Sequence, residues 1–457
     1  MAFSNPERFQ KWLIEHLIIF FSIIRWTVLS TITGILVGGS AALFIKILDL
    51  SILFHRYTDY YFLLLPLGLL LSTFLIEKFA KDAEGHGTEK VIEAIHKKNG
   101  KIKPEVVPVK LLATVITIMT GGSVGKEGPS AQIGAGVAST IADILRFSSD
   151  DRRKLVICGI SGGFASVFGA PIAGAIFGVE VLLIGNMVYD VLLPSFISGL
   201  IAYKTALLIG IDYTYHPLNI VHGFSIAMFL KVIVMGILAG IVSSIFIETL
   251  RLMEYLSSQL SFGKKRRALT GGVILIILTL IFGTRYLSLG MSDINTAIRG
   301  GDIPLFAPLL KIIFTSITLS FGGSGGIVTP IFYVGSTFGN IVSHLFKISA
   351  REGAAIGMMA LLSGATNTPI ASTVMAIEMF GPQIAHLAAI ANVISFLMTG
   401  HRSVYPSQIL AMKKSESIHV PTGVMLEEAQ DFRVKWRTSC VFVRLYFLIM
   451  RKIRKRK

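Results

Sequence analysis

Gly121-Gly122-Ser123-Val124-Gly125-Lys126-Glu127-Gly128-Pro129 and, 201 residues later, Gly322-Gly323-Ser324-Gly325-Gly326-Ile327-Val328-Thr329-Pro330 are two copies of one pattern. Without a gap they share the leading glycine pair, the serine, a third glycine, the proline and a glycine further on, Gly134 and Gly335. The match resumes downstream. Pro171-Ile172-Ala173 runs to Glu180 and Pro369-Ile370-Ala371 runs to Glu378, nine residues on in each copy. The chain is therefore a duplication, and each copy sets a Gly/Pro interruption inside strongly apolar sequence. In a membrane protein, matching interruptions in two halves point to a substrate site near the bilayer midplane.

Composition supports a membrane setting. Of 457 residues, 53% are hydrophobic and only 15% charged, where soluble domains carry about 25% charged residues. The mean hydropathy is +0.69. Apolar runs recur around 17–50, 61–80, 106–120, 190–210, 224–248, 270–288, 305–321, 354–377 and 384–399. Several reach the ~20 residues that cross a bilayer as a helix, and others are cut short by Gly or Pro. The expected fold is an all-α integral membrane protein with many tilted and broken helices. One transport domain is expected over 1–410, with repeats at about 25–205 and 225–410, followed by a short basic tail, 411–457. The polar start, Met1 to Lys11, and the long run after it do not read as a cleaved signal peptide.

The net charge of +16 does not imply nucleic acid. Its lysines and arginines sit in short patches: Lys97-Lys98, Arg152-Arg153-Lys154, Lys264-Lys265-Arg266-Arg267 and the tail from Arg451 to Lys457. Patches of this kind beside apolar spans are the positive-inside signature, so the Lys264 cluster and the C-terminus are expected in the cytoplasm. The tail could also meet lipid headgroups, and Cys440 to Met450 is read as an interfacial amphipathic helix. Cys158 and Cys440 are the only cysteines. They give no disulfide framework, redox motif or metal-ligand spacing, so no metal or cofactor is expected.

Gly121–Pro129 is not a nucleotide loop. Thr120 stands at the first glycine position of a Walker A pattern, and Glu127 follows Gly125-Lys126 where Ser or Thr is needed. Glycine as a close-packing device between helices is the bland alternative. Non-helical backbone at membrane depth is tolerated where it is buried or lines a cavity, and a helix that begins there aims unpaired N–H groups and a partial positive charge at the cavity. Several such ends converging suit an anion. Partial charges also let the ion leave again.

Glu127 is the anionic side chain of the first turn. An ionisable residue in a membrane segment is a functional candidate by default. Ionised, its carboxylate would compete with a permeant anion for the same N–H groups; protonated, it would let go. A third turn, Gly85-His86-Gly87-Thr88, leads into the helical pattern Glu89 to Ile95. Glu180 and Glu378, twinned between the copies, are the feature that would favour a cation transporter. They are read here as structural, buried against backbone N–H groups. No nucleophile–base pair marks an enzyme.

These residues resemble the CLC family of chloride channels and chloride/proton antiporters. Gly125-Lys126-Glu127-Gly128-Pro129 fits the family's G(K/R)EGP motif. Gly326-Ile327-Val328-Thr329-Pro330 fits G-x-F-x-P, with Val328 where phenylalanine is usual, and Gly85-His86-Gly87 occupies the GSGIP motif. Gly400 to Leu410, with Tyr405, resembles the family's last helix. The resemblance covers about 25–410. It implies an inverted-repeat helical fold in the lipid bilayer of the plasma or inner membrane, working as a homodimer with chloride as the transported ligand. It also implies that Glu127 is the gating and proton-accepting residue. Anion-binding positions are implied at Gly125, Lys126, Gly128, Ile327, Val328 and Tyr405, and at His86, which replaces the usual inner serine. Val181 stands where coupled members carry an internal proton-relay glutamate. That substitution points to a passive gated channel or weakly coupled transporter, with the chloride/proton antiporter as the alternative.

Overall fold

The computed structural model describes residues 6–56, 58–218, 225–429 and 433–434. Sixteen α-helices fall into two series of eight among these residues. The first is α1 (Pro6–Ile52), α2 (Leu65–Phe79), α3 (Thr88–Lys97), α4 (Val106–Met119), α5 (Glu127–Ile144), α6 (Ser149–Phe168), α7 (Pro171–Glu180) and α8 (Leu192–Leu208). The second is α9 (Ile226–Gln259), α10 (Lys264–Phe282), α11 (Met291–Ile298), α12 (Ala307–Ser320), α13 (Val328–Phe346), α14 (Ala350–Thr366), α15 (Pro369–Phe380) and α16 (Ala385–Met398). Each helix has its counterpart in the other series. Among the described residues, four segments, 7–55, 61–79, 189–208 and 226–259, are long and apolar enough to cross a membrane. Exposed side chains such as Ile18, Phe21, Leu50 and Leu280 clothe the outside in hydrocarbon, as a lipid-facing surface requires.

Packing repeats the sequence duplication. α5 lies along α6 as α13 lies along α14; α1 meets α6 and α8 as α9 meets α14 and α16. Between α13 and α14, Gly339 and Gly353 press against each other's backbone, the close approach that small residues permit between membrane helices. Two pairs, α2 with α10 and α7 with α15, meet their own counterparts and so lie on the axis relating the halves.

The apolar run around 354–377 is cut at the expected kind of place. Asn367 ends α14 in a left-handed conformation and Pro369 opens α15, as Gly169 ends α6 and Pro171 opens α7. The two proline-opened helices cap one another. Glu180, at the end of α7, accepts the Ile370 and Ala371 N–H groups at 3.0 and 2.7 Å. Glu378, near the end of α15, accepts those of Ile172 and Ala173 at 3.0 and 2.8 Å. Four orphan donors of two helix N-termini are satisfied by two carboxylates, in accord with a structural part for this pair.

One expectation is corrected. Residues 401–410 form no helix. Gly400 turns the chain with φ +67°, Pro406 withholds an N–H, and the stretch ends as strand β2 (Ile409–Leu410), parallel to β1 (Leu183–Ile184). The chain continues as a strap. Leu410, Val420, Leu426 and Ala429 pack with Ile184, and β3 (Ile418–His419) pairs antiparallel with β4 (Arg433–Val434). Cys440, the segment to Met450 and the basic terminus lie outside the described residues.

Glu180→Ala leaves two N–H groups of α15 unpaired in a dry setting and should cost about 2–4 kcal/mol. A lowered melting temperature of the detergent-solubilised protein checks this, and Glu378→Ala, on the more exposed side, should lose less.

Candidate functional site

The two glycine turns meet back to back. Gly125 N–H donates to the Gly326 carbonyl at 2.7 Å, and Gly326 N–H returns the bond to Gly125 at 2.6 Å. Each turn also finds an acceptor on the helix before the other: Ser123 N–H donates to Thr318 Oγ1 and Ser324 N–H to Thr117 Oγ1, both at 3.1 Å. Gly121 and Gly322 both hold φ +100°, a region closed to most side chains. Polar backbone that would be costly in an apolar interior is thereby paired, and α5 and α13 start from a common point.

Glu127 is the first residue of α5 and is 2% exposed. Its carboxylate reaches across to the start of α13, where Oε2 accepts Thr329 N–H at 3.1 Å and Oε1 accepts the Thr329 hydroxyl. An anionic group thus sits on a helix N-terminus supplied by the other repeat, a setting that favours negative charge. Ile327 and Val328, the N-cap and first residue of α13, are buried beside it. Lys126 is the half-buried N-cap of α5. The Gly125 N–H is engaged in the bridge to Gly326, so this group holds the turns together. A methyl on Gly128 would run into the His86 carbonyl oxygen. Its glycine therefore lets the 85–87 turn lie against the start of α5.

Beyond the carboxylate come buried polar groups with few partners. Tyr405 is fully buried with its hydroxyl beside that of Thr88, and beyond this mutual contact neither hydroxyl nor His86 Nδ1 meets a hydrogen-bond partner among the described residues. The His86 and Tyr405 ring centroids are 6.0 Å apart. His86 also lines a cavity of about 680 Å³ with Glu89, Ser407, Lys264 and Arg267, so it stands at the end of the row that opens toward the basic cluster. Buried polar groups short of partners are rare in native proteins. Val181 takes no part in the cavity. Its side chain is in the apolar core, and its carbonyl accepts Gln408 Nε2 at 2.8 Å.

Sequence reasoning missed two lysines. Lys110 in α4 is fully buried, and its Nζ donates to the Ala83 and Gly85 carbonyls at 3.1 and 2.6 Å. Lys311 in α12 is its duplicate 201 residues on, donating to Tyr286 and Ser288 at 3.1 and 2.8 Å. Each ties down the turn before a short helix, α3 and α11 respectively. Their shared place inside two matched apolar runs was the available signal. Thr329 and Thr88, hydroxyls in first helical turns, were missed as well.

A family model described as voltage gated chloride channel matches residues 68–400, which include both glycine turns, the 85–88 turn and both lysines. The chain belongs to this family. A chloride/fluoride channel protein of Pseudomonas syringae pv. tomato is 32% identical over 423 residues, covering 90% of this chain and 92% of that protein. The crystal structure of a CLC-type fluoride/proton antiporter has a TM-score of 0.81 at 28% identity, covering 85% of this chain and 98% of the other. A slow cyanobacterial Cl−/H+ antiporter shares the fold, with a TM-score of 0.71 at 20% identity over 82% of this chain and 94% of its own. This protein is thus a CLC-type membrane protein of the inverted-repeat fold, in a family of anion channels and transporters.

Lys110→Met removes both bonds that hold the 83–87 turn and leaves two carbonyls unpaired. The expected loss is about 2–4 kcal/mol of stability, read as a lower melting temperature, together with slower anion flux in vesicles.

Proposed function

We propose that this chain carries small halides, fluoride as well as chloride, along a path from the Glu127–Thr329 slot past Tyr405 to the cavity beside His86. The observation that carries this reading is the Glu127 carboxylate on the α13 N-terminus, where it accepts the Thr329 N–H and hydroxyl. A side chain held there occupies the place of a permeant anion. Once protonated it is a weaker acceptor and carries no charge for the helix end to attract, so an anion can displace it. Glu127 is gate and proton acceptor in one.

Fluoride is included because the donors along the row are hydroxyl and ring N–H groups, and a small, strongly hydrated ion needs such donors to offset the loss of water. The names of the Pseudomonas relative at 32% identity and of the fluoride/proton antiporter at 28% support the same choice. The Lys264–Arg267 cluster supports a cytoplasmic face at the cavity and a place in the plasma or inner membrane. A homodimer with one pathway per subunit belongs to this proposal, and crosslinking in native membranes checks it. Val181 being apolar, passive gated conduction is the simplest mode. Exchange against protons requires an acid elsewhere on the inner side.

In reconstituted vesicles, Glu127→Gln should keep or raise fluoride and chloride efflux, measured with ion-selective electrodes, while removing its dependence on pH. Lost efflux with the pH dependence intact would make Glu127 a structural residue. Separately, His86→Ser should change the ratio of fluoride to chloride efflux several-fold without lowering the melting temperature; an unaltered ratio would take His86 out of the path.

A further inference from the structure

Glu89, in the first turn of α3, lines the cavity at the end of this row. Its Oε1 accepts two hydrogen bonds from Ser407, from N–H at 3.0 Å and from the hydroxyl at 2.5 Å. Its Oε2 is buried and has no partner among the described residues. The buried Tyr405 hydroxyl lies within electrostatic reach of both Glu89 and Glu127, and its ring neighbours that of His86. Glu89 also lines the cavity that His86 lines, three residues away on the same turn-and-helix.

Among the described residues no cation forms an ion pair with it. Lys90 on its own helix pairs with Glu93 at 2.8 Å, and Lys97 pairs with Glu427 of the strap at 2.8 Å. From α10, Lys264 pairs with Glu84 at 2.6 Å, and Arg267 is spent on the carbonyls of Ser258, Leu260 and Phe262. From α9, Arg251 pairs with Glu248 at 3.4 Å, and Glu254 faces the same cavity. Lys110 of α4 is bound to backbone behind the His86 turn. Glu89 is therefore held by a serine and not by an ion pair. A proton can be added to Oε2 while Oε1 keeps both Ser407 bonds, so each protonation state fits without rearrangement.

We propose that Glu89 is the inner proton station of this chain. The proton leaving Glu127 passes by the Tyr405 hydroxyl, the His86 ring or water to Glu89 Oε2, and from there to water in the cavity. The proton is conserved throughout, and anions moving one way are exchanged for protons moving the other. Glu89 supplies the acid that Val181 lacks. This inference rests on the anion path proposed above.

The test follows both ions in the same vesicles, anions by electrode and protons by a pH-sensitive dye. In the unaltered protein, an imposed fluoride or chloride gradient drives protons uphill. In Glu89→Gln the ratio of protons to anions moved falls at least about tenfold, and Glu89→Asp recovers part of it. Ser407→Ala removes a donor that favours the ionised carboxylate, so the midpoint of proton movement shifts to higher pH. A purely structural Glu89 would not move that midpoint, and this arm decides the matter should Glu89→Gln fail to fold. Anion flux without protons in the unaltered protein overturns the proposal, as does an unchanged ratio in Glu89→Gln or an unmoved midpoint in Ser407→Ala. Absence of anion flux in the unaltered protein fails the pathway itself and is separately visible.

Discussion

The pair of hydrogen bonds between Gly125 and Gly326 is the join on which the rest of the molecule is hung. Breaking a helix inside a membrane frees backbone N–H and C=O groups, and no water stands ready to receive them. Here each broken stretch finds its partners in the other copy. The serine and threonine bonds beside the join follow the same rule, as do the carboxylates that cap α7 and α15. Because the bonds are reciprocal, they fix two helix starts at one spot and at one mutual angle. A site for an ion follows from that geometry before any side chain chooses the ion.

Charge is used sparingly and in two ways. Lys110, Lys311, Glu180 and Glu378 are inside, yet each is spent on backbone groups, two bonds apiece. Burying an ion without such bonds would be prohibitive; with them it becomes a staple for a turn or a helix end. Glu127 and Glu89 differ. Glu127 takes its bonds from a helix start in the other repeat, where the proposed function has an anion compete for them, and Glu89 leaves one oxygen bare. The distinction between scaffold charge and working charge is visible in which atoms remain free.

Much of the fold was legible because duplication and interruption are written in the residues themselves. Glycine pairs, prolines and a shared offset marked both turns, and hydropathy marked the long spans. The proposed path drew on motif positions, Glu127, His86 and Tyr405, that the sequence singles out. The strap was not, since residues after Gly400 show neither period, and their course depends on pairing with Leu183–Ile184, far away in sequence. Thr329 and Glu89 were illegible for a related reason. A threonine or glutamate in a first helical turn is ordinary, and only the neighbour brought by folding, Glu127 in one case and Ser407 in the other, gives it a task.

The exchange of caps between α7 and α15 has a consequence for biogenesis. The chain is made from its N-terminus, so the first series of helices enters the membrane while the second is still unmade. During that interval Ile172 and Ala173 have no carboxylate to meet, because Glu378 has yet to be synthesised. Ser123 likewise waits for Thr318, and Gly125 for Gly326. Neither half can complete its own interior. The first half can already pack α1, α5, α6 and α8 on one another, but these backbone groups stay unpaired until the second half docks, an intermediate of the kind large chains pass through.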